Sequence, residues 1–261
     1  MLIEHTLFGV VDKVADSIQL LREHEPPEGY YLCFSGGKDS VVVYDLAVRA
    51  GVKFDAHYNN TTVDPPEVTD FIHTHYPNVI EEIPPLSMFE LIVKKTMPPT
   101  RLSRYCTKEL KAKSGNDRVK VDGARSAESR SRAKRPVWDK DRGGKGYFLH
   151  AIKNWSTADV WQYIRENNLP YCKLYDEGFT RIGCVLCPFQ STAKALKDIE
   201  RFPDIAEKYR QACRDSFNAN RDKIRTWSSG DDMFNWWIYE RSGHSKKKLN
   251  MPSLFDEEVK S

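Results

Sequence analysis

The sequence lacks the long apolar segments that a membrane protein needs. None of its hydrophobic runs approaches the ~20 uninterrupted apolar residues of a membrane-spanning helix. Its first residues, Met1 to His5, do not show the basic and then apolar stretch of a secretory signal. Of the 261 residues, 40% are hydrophobic and 30% are charged, which is typical of a globular protein that folds in water. We therefore expect a protein of the cytoplasm with no membrane partner.

A large net charge and a disulfide framework are also missing. The net charge is only +3, which is too small on its own to indicate a nucleic-acid-binding protein. Positive residues are nevertheless concentrated in the middle third, from Arg101 to Lys145. Such a run is either a solvated surface or a surface for polyanions, nucleic acid included. The six cysteines favour metal ligands, catalytic groups or core packing over disulfides in a cytosolic chain.

One short polar stretch, Ser35 to Ser40 with the sequence Ser-Gly-Gly-Lys-Asp-Ser, lies between two apolar runs. The run before it has the length and composition of a buried strand, and the run after it has apolar residues at helical spacing. Glycines let the backbone approach a ligand closely, and the unpaired N–H groups at the start of a helix bind anions. The stretch therefore predicts a phosphate-binding strand-to-helix turn, shorter than the Walker loop. The alternative is a plain glycine-rich turn.

Strand-like and helix-like segments alternate over the first two thirds of the chain. This alternation predicts an α/β fold with a doubly wound parallel sheet and helices on both faces. Residues 6–24 are predicted to form an amphipathic helix, and the basic, glycine-rich residues 130–146 a mobile loop over the site. The expected strands are 30–34, 52–58, 78–83, 118–122 and 147–152, and the helices that alternate with them start near 41, 66, 87 and 158.

The alternation stops at residue 169. Residues 170–188 are irregular and contain cysteines, residues 193–220 are predicted to be helical, and the aromatic residues 233–239 form a helix or a strand. We therefore expect an α/β domain over residues 1–168, followed by a mostly helical, cysteine-bearing extension over residues 169–261.

Four of the cysteines have a spacing that suits a metal centre. Cys184 and Cys187 form a C-x-x-C pair closed by a proline, Cys172 precedes them by eleven intervening residues, and Cys106 completes a set of four if its segment folds beside them. Four thiolates suit either a structural zinc ion or a [4Fe–4S] cluster, and ligand chemistry does not distinguish the two. Cys33 and Cys213 lie in apolar surroundings typical of core packing.

Taken in order, four motifs resemble the phosphoadenosine phosphosulfate (PAPS) reductase family, part of the PP-loop group of adenine nucleotide alpha hydrolases. They are Ser35 to Ser40, Arg104 to Lys111, Gly123 to Ala133 and Leu174 to Pro188. The resemblance implies a Rossmann-like fold that binds ATP or an adenylyl-sulfate and acts at the α-phosphate end. It also implies a phosphate cradle formed by Ser35, Gly36, Gly37, Lys38, Asp39 and Ser40.

The resemblance further implies roles for particular side chains. Arg125 and Arg132 would hold sulfate or phosphate oxygens, Glu128 would orient an arginine, and Lys38 would assist catalysis together with Arg125 and Glu128. A magnesium ion could accompany the nucleotide. The alternative for Glu128 and the arginines is a surface ion-pair network. The four-cysteine branch related to DNA phosphorothioation sulfur-transfer proteins implies a [4Fe–4S] cluster on Cys106, Cys172, Cys184 and Cys187.

Two departures from the family pattern affect the expected reaction. No cysteine follows Cys213, so the E-C-G-[IL]-H motif that supplies the nucleophile of sulfonucleotide reductases is not matched, and the tandem cysteine pair is reduced to Cys106. We expect an enzyme of sulfur transfer that uses ATP or an adenylyl-sulfate and a sulfur or electron donor protein. The alternatives are a true PAPS reductase that forms sulfite, and a non-catalytic subunit that binds nucleotide or nucleic acid and carries structural zinc.

Overall fold

A computed structural model describes residues 1–7, 9–111, 115, 117–141 and 146–240. Its strands are β1 (Ile3–Thr6), β2 (Gly9–Asp12), β3 (Tyr30–Phe34), β4 (Phe54–Asn59), β5 (Ile80–Glu82), β6 (Lys120–Asp122), β7 (Trp138–Lys140) and β8 (Tyr147–His150). Its helices are α1 (Lys13–Glu23), α2 (Lys38–Ala50), α3 (Pro66–His75), α4 (Met88–Lys95), α5 (Tyr105–Leu110), α6 (Arg130–Ala133), α7 (Thr157–Glu166), α8 (Thr192–Arg201), α9 (Pro203–Ala219) and α10 (Gly230–Tyr239).

A six-stranded sheet with the order β5-β4-β3-β6-β8-β7 forms the centre of the molecule. The first five strands in this order are parallel, and only β7 pairs antiparallel, with β8. The carboxyl ends of the parallel strands therefore lie along one edge of the sheet, where an open α/β sheet binds its ligands. The α/β fold with a parallel-dominated sheet is confirmed.

The strands and helices are held by one apolar core. Leu32, Val121 and Leu149, on three neighbouring strands, are fully buried, and Val42 and Leu46 bury one face of α2. Side chains that are removed from water in this way contribute ~1.5–3 kcal/mol each to folding. The core thereby fixes the edge from which the polar loops leave the sheet.

The C-terminal helices pack directly on the α/β part. Ser216 Oγ in α9 donates to the carbonyl of Ile92 in α4 at 3.4 Å, and Asn220 Nδ2 donates to the carbonyl of Val93 at 3.2 Å. The extension thus contributes to the same apolar core, and the boundary at residue 169 stays a prediction. In the described part of the chain, no helix is long and apolar enough to cross a lipid bilayer.

The helix predicted over residues 6–24 is wrong in its first half. Residues 3–6 and 9–12 instead form the antiparallel strand pair β1–β2, in which Thr6 lies opposite Gly9. The helix begins only at Lys13, because Asp12 caps it: the Asp12 carboxylate accepts from the N–H groups of Val14 and Ala15 at 3.0 and 3.1 Å. Apolar residues before Lys13, whose spacing suited a helix, lie in strand β2 instead.

Two further predictions need correction. The loop predicted over residues 130–146 contains the short helix α6 and strand β7, and its residues 142–145 lie outside the described residues. The single helix predicted over residues 193–220 is two helices, because Pro203 disfavours helical geometry at the residue before it and starts a new helix. Of the two possibilities for residues 233–239, the helix is confirmed.

Candidate functional site

The turn between β3 and α2 lies at the carboxyl edge of the sheet. Gly36 has φ 68°, and a Cβ atom there would come within 2.9 Å of Val68 Cγ1, so only glycine fits this position without strain. Gly37 precedes the first residue of α2, Lys38, and provides no side-chain cap. The start of α2 is therefore open to a ligand, as the sequence predicts for a phosphate cradle.

The hydroxyl groups of the turn are engaged with the turn itself. Ser40 Oγ donates to the carbonyl of Gly37 at 2.8 Å and accepts from the backbone N–H of Ser35 at 3.2 Å. In contrast, the backbone N–H groups of Asp39 and Ser40 have no acceptor among the described residues. The serine hydroxyls hold the shape of the turn, and two amides of the first helical turn remain as donors for an anion.

Lys38, the first residue of α2, is buried. Its side chain is only 5% exposed, and its ammonium group donates to Asp39 Oδ2 at 3.1 Å. The backbone N–H of Lys38 donates to the hydroxyl of Tyr175 at 2.9 Å, and Lys38 Nζ lies 5.5 Å from the centre of the Tyr175 ring. Tyr175 comes from the cysteine-bearing segment, 137 residues away, and the sequence analysis assigned it no role.

A buried ion pair connects three loops of the sheet edge. Arg125 is 2% exposed and its Nε donates to Asp39 Oδ1 at 2.7 Å, while Nη1 donates to the Trp155 carbonyl at 3.2 Å and to Thr157 Oγ1 at 3.3 Å. These contacts tie the turn after β3 to the loops after β6 and β8. The Arg125 guanidinium group therefore holds the cradle in position. Its contact with an oxyanion stays a prediction.

Glu128 and Arg132 form a second, more exposed ion pair. The Glu128 carboxylate accepts from Arg132 Nη1 and also from the backbone N–H of Arg125 at 2.9 Å. Arg132 is 33% exposed. Glu128 thus orients Arg132, which agrees with the ion-pair alternative, and leaves the Arg132 guanidinium close to solvent at the same edge.

Cys184 also reaches the carboxyl edge. The backbone N–H of Val185 donates to the Val63 carbonyl at 2.8 Å, which fixes the C-x-x-C pair beside the loop that follows β4. Burial raises the pKa of the Cys184 thiol to about 11, although the positive charge of Lys111 opposes this effect. The interaction with Cys184 is the main cause of a raised Lys111 pKa. At neutral pH this thiol is protonated and has an ammonium group beside it.

Three of the four predicted metal ligands, Cys106, Cys184 and Cys187, interact electrostatically. Burial and then the charge of Cys187 raise the pKa of Cys106, and Cys187 has the same effect on Cys184. Cys172 is buried elsewhere, with Sγ 3.6 Å from the Glu67 carbonyl. Within the described residues, no three His, Cys, Asp or Glu side chains are arranged around one metal position. The four-thiolate set does not fit as placed, and both the iron–sulfur cluster and zinc stay predictions.

Part of the basic middle third is paired with acids. Arg118 binds Asp55, Lys120 binds Asp141 at 2.9 Å, and Arg125 and Arg132 bind the acids named above. The positive charge of these four side chains is therefore used in internal contacts. A nucleic-acid partner stays a prediction.

Comparison with known proteins finds similarity to one family of reductases. The sequence model of the phosphoadenosine phosphosulfate reductase domain matches residues 29–190. An uncharacterized protein of Methanocaldococcus jannaschii is 30% identical over 198 residues, which cover 70% of this chain and 41% of the relative. An adenosine 5'-phosphosulfate reductase of Oceanobacillus iheyensis is 29% identical over 171 residues, covering 61% of this chain and 71% of that protein.

A solved structure supports the fold. The phosphoadenylyl-sulfate reductase of Candida auris, in a phosphate complex, superposes with a TM-score of 0.52 at 20% identity, covering 65% of this chain and 88% of that one. The first two curated relatives are longer proteins, of which the chain spans 41% and 49%.

Replacing Arg125 by Met should destabilise the protein strongly. The change leaves Asp39 and the Trp155 carbonyl without their buried donor, and breaking a buried ion pair costs about 3 kcal/mol or more. Arg132→Met is the matched control, because an exposed pair contributes less than about 1 kcal/mol. Urea denaturation measures both free energies of unfolding. Equal losses of unfolding free energy in the two variants would contradict the role of Arg125 in holding the cradle.

Proposed function

Because the chain belongs to the phosphoadenosine phosphosulfate reductase family, we propose that it is an adenine-nucleotide enzyme of sulfur chemistry, acting at the α-phosphate of ATP or of an adenylyl-sulfate. The observation that carries the proposal is the open cradle at the start of α2, where the amides of Asp39 and Ser40 have no acceptor among the described residues. Phosphate groups bind well at such a site because helix amides and the helix dipole both favour negative charge.

The residues around the cradle would supply binding, orientation and charge. Lys38 would place a positive charge beneath the phosphates, and Arg125 would act as a positioning residue that fixes Asp39. Arg132, held by Glu128, would offer a guanidinium group to a tetrahedral oxyanion, which its planar fork suits. Catalysis at a phosphate depends mainly on such positioning and on stabilisation of developing charge.

Of the two candidate reactions, the sequence motifs favour the one at ATP. A reductase needs a thiolate that attacks the sulfate sulfur, because the thiolate is the nucleophile of cysteine. The E-C-G-[IL]-H motif that supplies this cysteine in sulfonucleotide reductases has no match among residues 1–261. A true PAPS reductase that forms sulfite remains the second candidate.

An assay with both nucleotides tests the proposal. Protein purified without air should release pyrophosphate from ATP in the presence of a sulfide donor, and it should form little sulfite from PAPS and a dithiol. Gly36→Ala should lower the ATP rate about a hundredfold, because the added Cβ atom at φ 68° would come within 2.9 Å of Val68 Cγ1 and shift the cradle, and a misplacement of about 1 Å costs roughly that factor. Sulfite without pyrophosphate would favour the reductase, and turnover of neither nucleotide would contradict an enzyme of this class.

The iron–sulfur cluster implied by the family resemblance is a separate part of the proposal. Cys106, Cys184 and Cys187 would be its ligands, and Cys172 would not, since its Sγ lies against the Glu67 carbonyl. A cluster, when bound, would supply electron or sulfur transfer; because the four-thiolate set does not fit as placed, the proposal assigns it no step.

Metal content after anaerobic purification tests this ligand assignment. Cys184→Ser should lose most of the iron, because it removes a ligand, whereas Cys172→Ser should keep the iron content of the unmodified protein. Equal losses in the two variants would show that all four thiols bind. Unmodified protein that contains zinc or no metal would rule out the cluster.

A further inference from the structure

Tyr175 brings to the phosphate cradle a hydroxyl group that the proposed function does not yet use. Its oxygen accepts from the backbone N–H of Lys38 at 2.9 Å. A Cβ atom built on Gly37 would lie 3.5 Å from the same oxygen. The hydroxyl therefore lies at the mouth of the turn, in contact with the first amide of α2.

The aromatic ring that carries this hydroxyl is held on two sides. Trp161 packs edge-on against the Tyr175 ring at 5.0 Å between ring centres and an angle of 88°. Lys38 Nζ lies 5.5 Å from the ring centre, within the range of a cation–π contact. Movement of the ring away from the cradle would break both contacts together with the hydrogen bond from Lys38.

The hydroxyl keeps one unused donor. A phenol can accept hydrogen bonds and donate one, and the oxygen of Tyr175 accepts from Lys38. Among the described residues, no acceptor takes its proton. Burial raises the pKa of Tyr175, so the proton stays on the oxygen at neutral pH. The unused donor lies at the amide of Lys38, which directly precedes the open amides of Asp39 and Ser40 in the first turn of α2.

We propose that Tyr175 is a phosphate-binding residue. Its hydroxyl donates to an oxygen of the phosphate that the amides of Asp39 and Ser40 hold, while its oxygen continues to accept from Lys38 N–H. This inference rests on the proposed function, since it places a nucleotide phosphate on the same cradle. It adds a ligand from the cysteine-bearing segment, so that phosphate binding connects this segment to the turn after β3.

A different role for the same contact makes the opposite prediction. If Tyr175 occupied the phosphate position as a plug, a ligand would have to displace it, and removal of the hydroxyl would strengthen binding. The packing of the ring between Trp161 and Lys38 favours the donor over the plug.

Calorimetric titration with inorganic pyrophosphate, and separately with ATP, tests the inference in Tyr175→Phe. The variant keeps the ring and loses a hydrogen bond to a charged ligand, so the Kd for pyrophosphate should rise about tenfold or more. Tyr171→Phe is the matched control, because Tyr171 also packs edge-on against Trp161, at 5.3 Å and 86°, but its hydroxyl donates to Asp176 at 3.1 Å. Its affinity should match that of the unmodified protein.

The possible failures are distinguishable. If the unmodified protein binds neither pyrophosphate nor ATP, the proposed function is wrong and the inference falls with it. If the unmodified protein binds them and Tyr175→Phe binds equally or more tightly, only the inference is overturned. Site-specific 3-fluorotyrosine at position 175 retains the ring and a more acidic hydroxyl, so it should restore affinity. A defect that this replacement leaves unchanged would mean a structural role and would also overturn the inference.

Discussion

The candidate site depends on the buried ion pair between Asp39 and Arg125. A guanidinium group that is 2% exposed has lost its hydration, and this loss is offset only if its N–H groups find fixed acceptors. Asp39, the Trp155 carbonyl and Thr157 are those acceptors. Asp39 belongs to the turn after β3, Trp155 and Thr157 to the connection after β8, and Arg125 itself to the loop after β6. The ion pair therefore holds three loops of the carboxyl edge in fixed positions relative to one another.

This constraint explains why the helix amides can serve as a binding site. Asp39 is tied at one carboxylate oxygen to Arg125 and at the other to Lys38, so its side chain cannot cap the amides of its own helix. The serine hydroxyls are bound within the turn. The start of α2 therefore presents oriented amide donors close to the buried positive charge of Lys38. Such a site is preorganised for an anion before the ligand binds.

Local patterns predicted the parts of the molecule that depend on neighbouring residues. The β3 strand, the glycine turn and the α2 helix all follow from residue patterns within residues 30–50. The contacts of Arg125 and Tyr175 with the cradle could not be derived in this way, because they join residues 86 and 137 positions apart. The strand pair β1–β2 was missed because the apolar spacing of its residues also suited a helix.

The most direct test of a phosphate site at the start of α2 is an NMR titration that follows the backbone amides of the turn as pyrophosphate is added. The account predicts that the Asp39 and Ser40 amide signals shift strongly and exchange more slowly with solvent, because each N–H gains a charged acceptor. Saturable binding that leaves these two amides unchanged, with shifts confined to other parts of the chain, would contradict it.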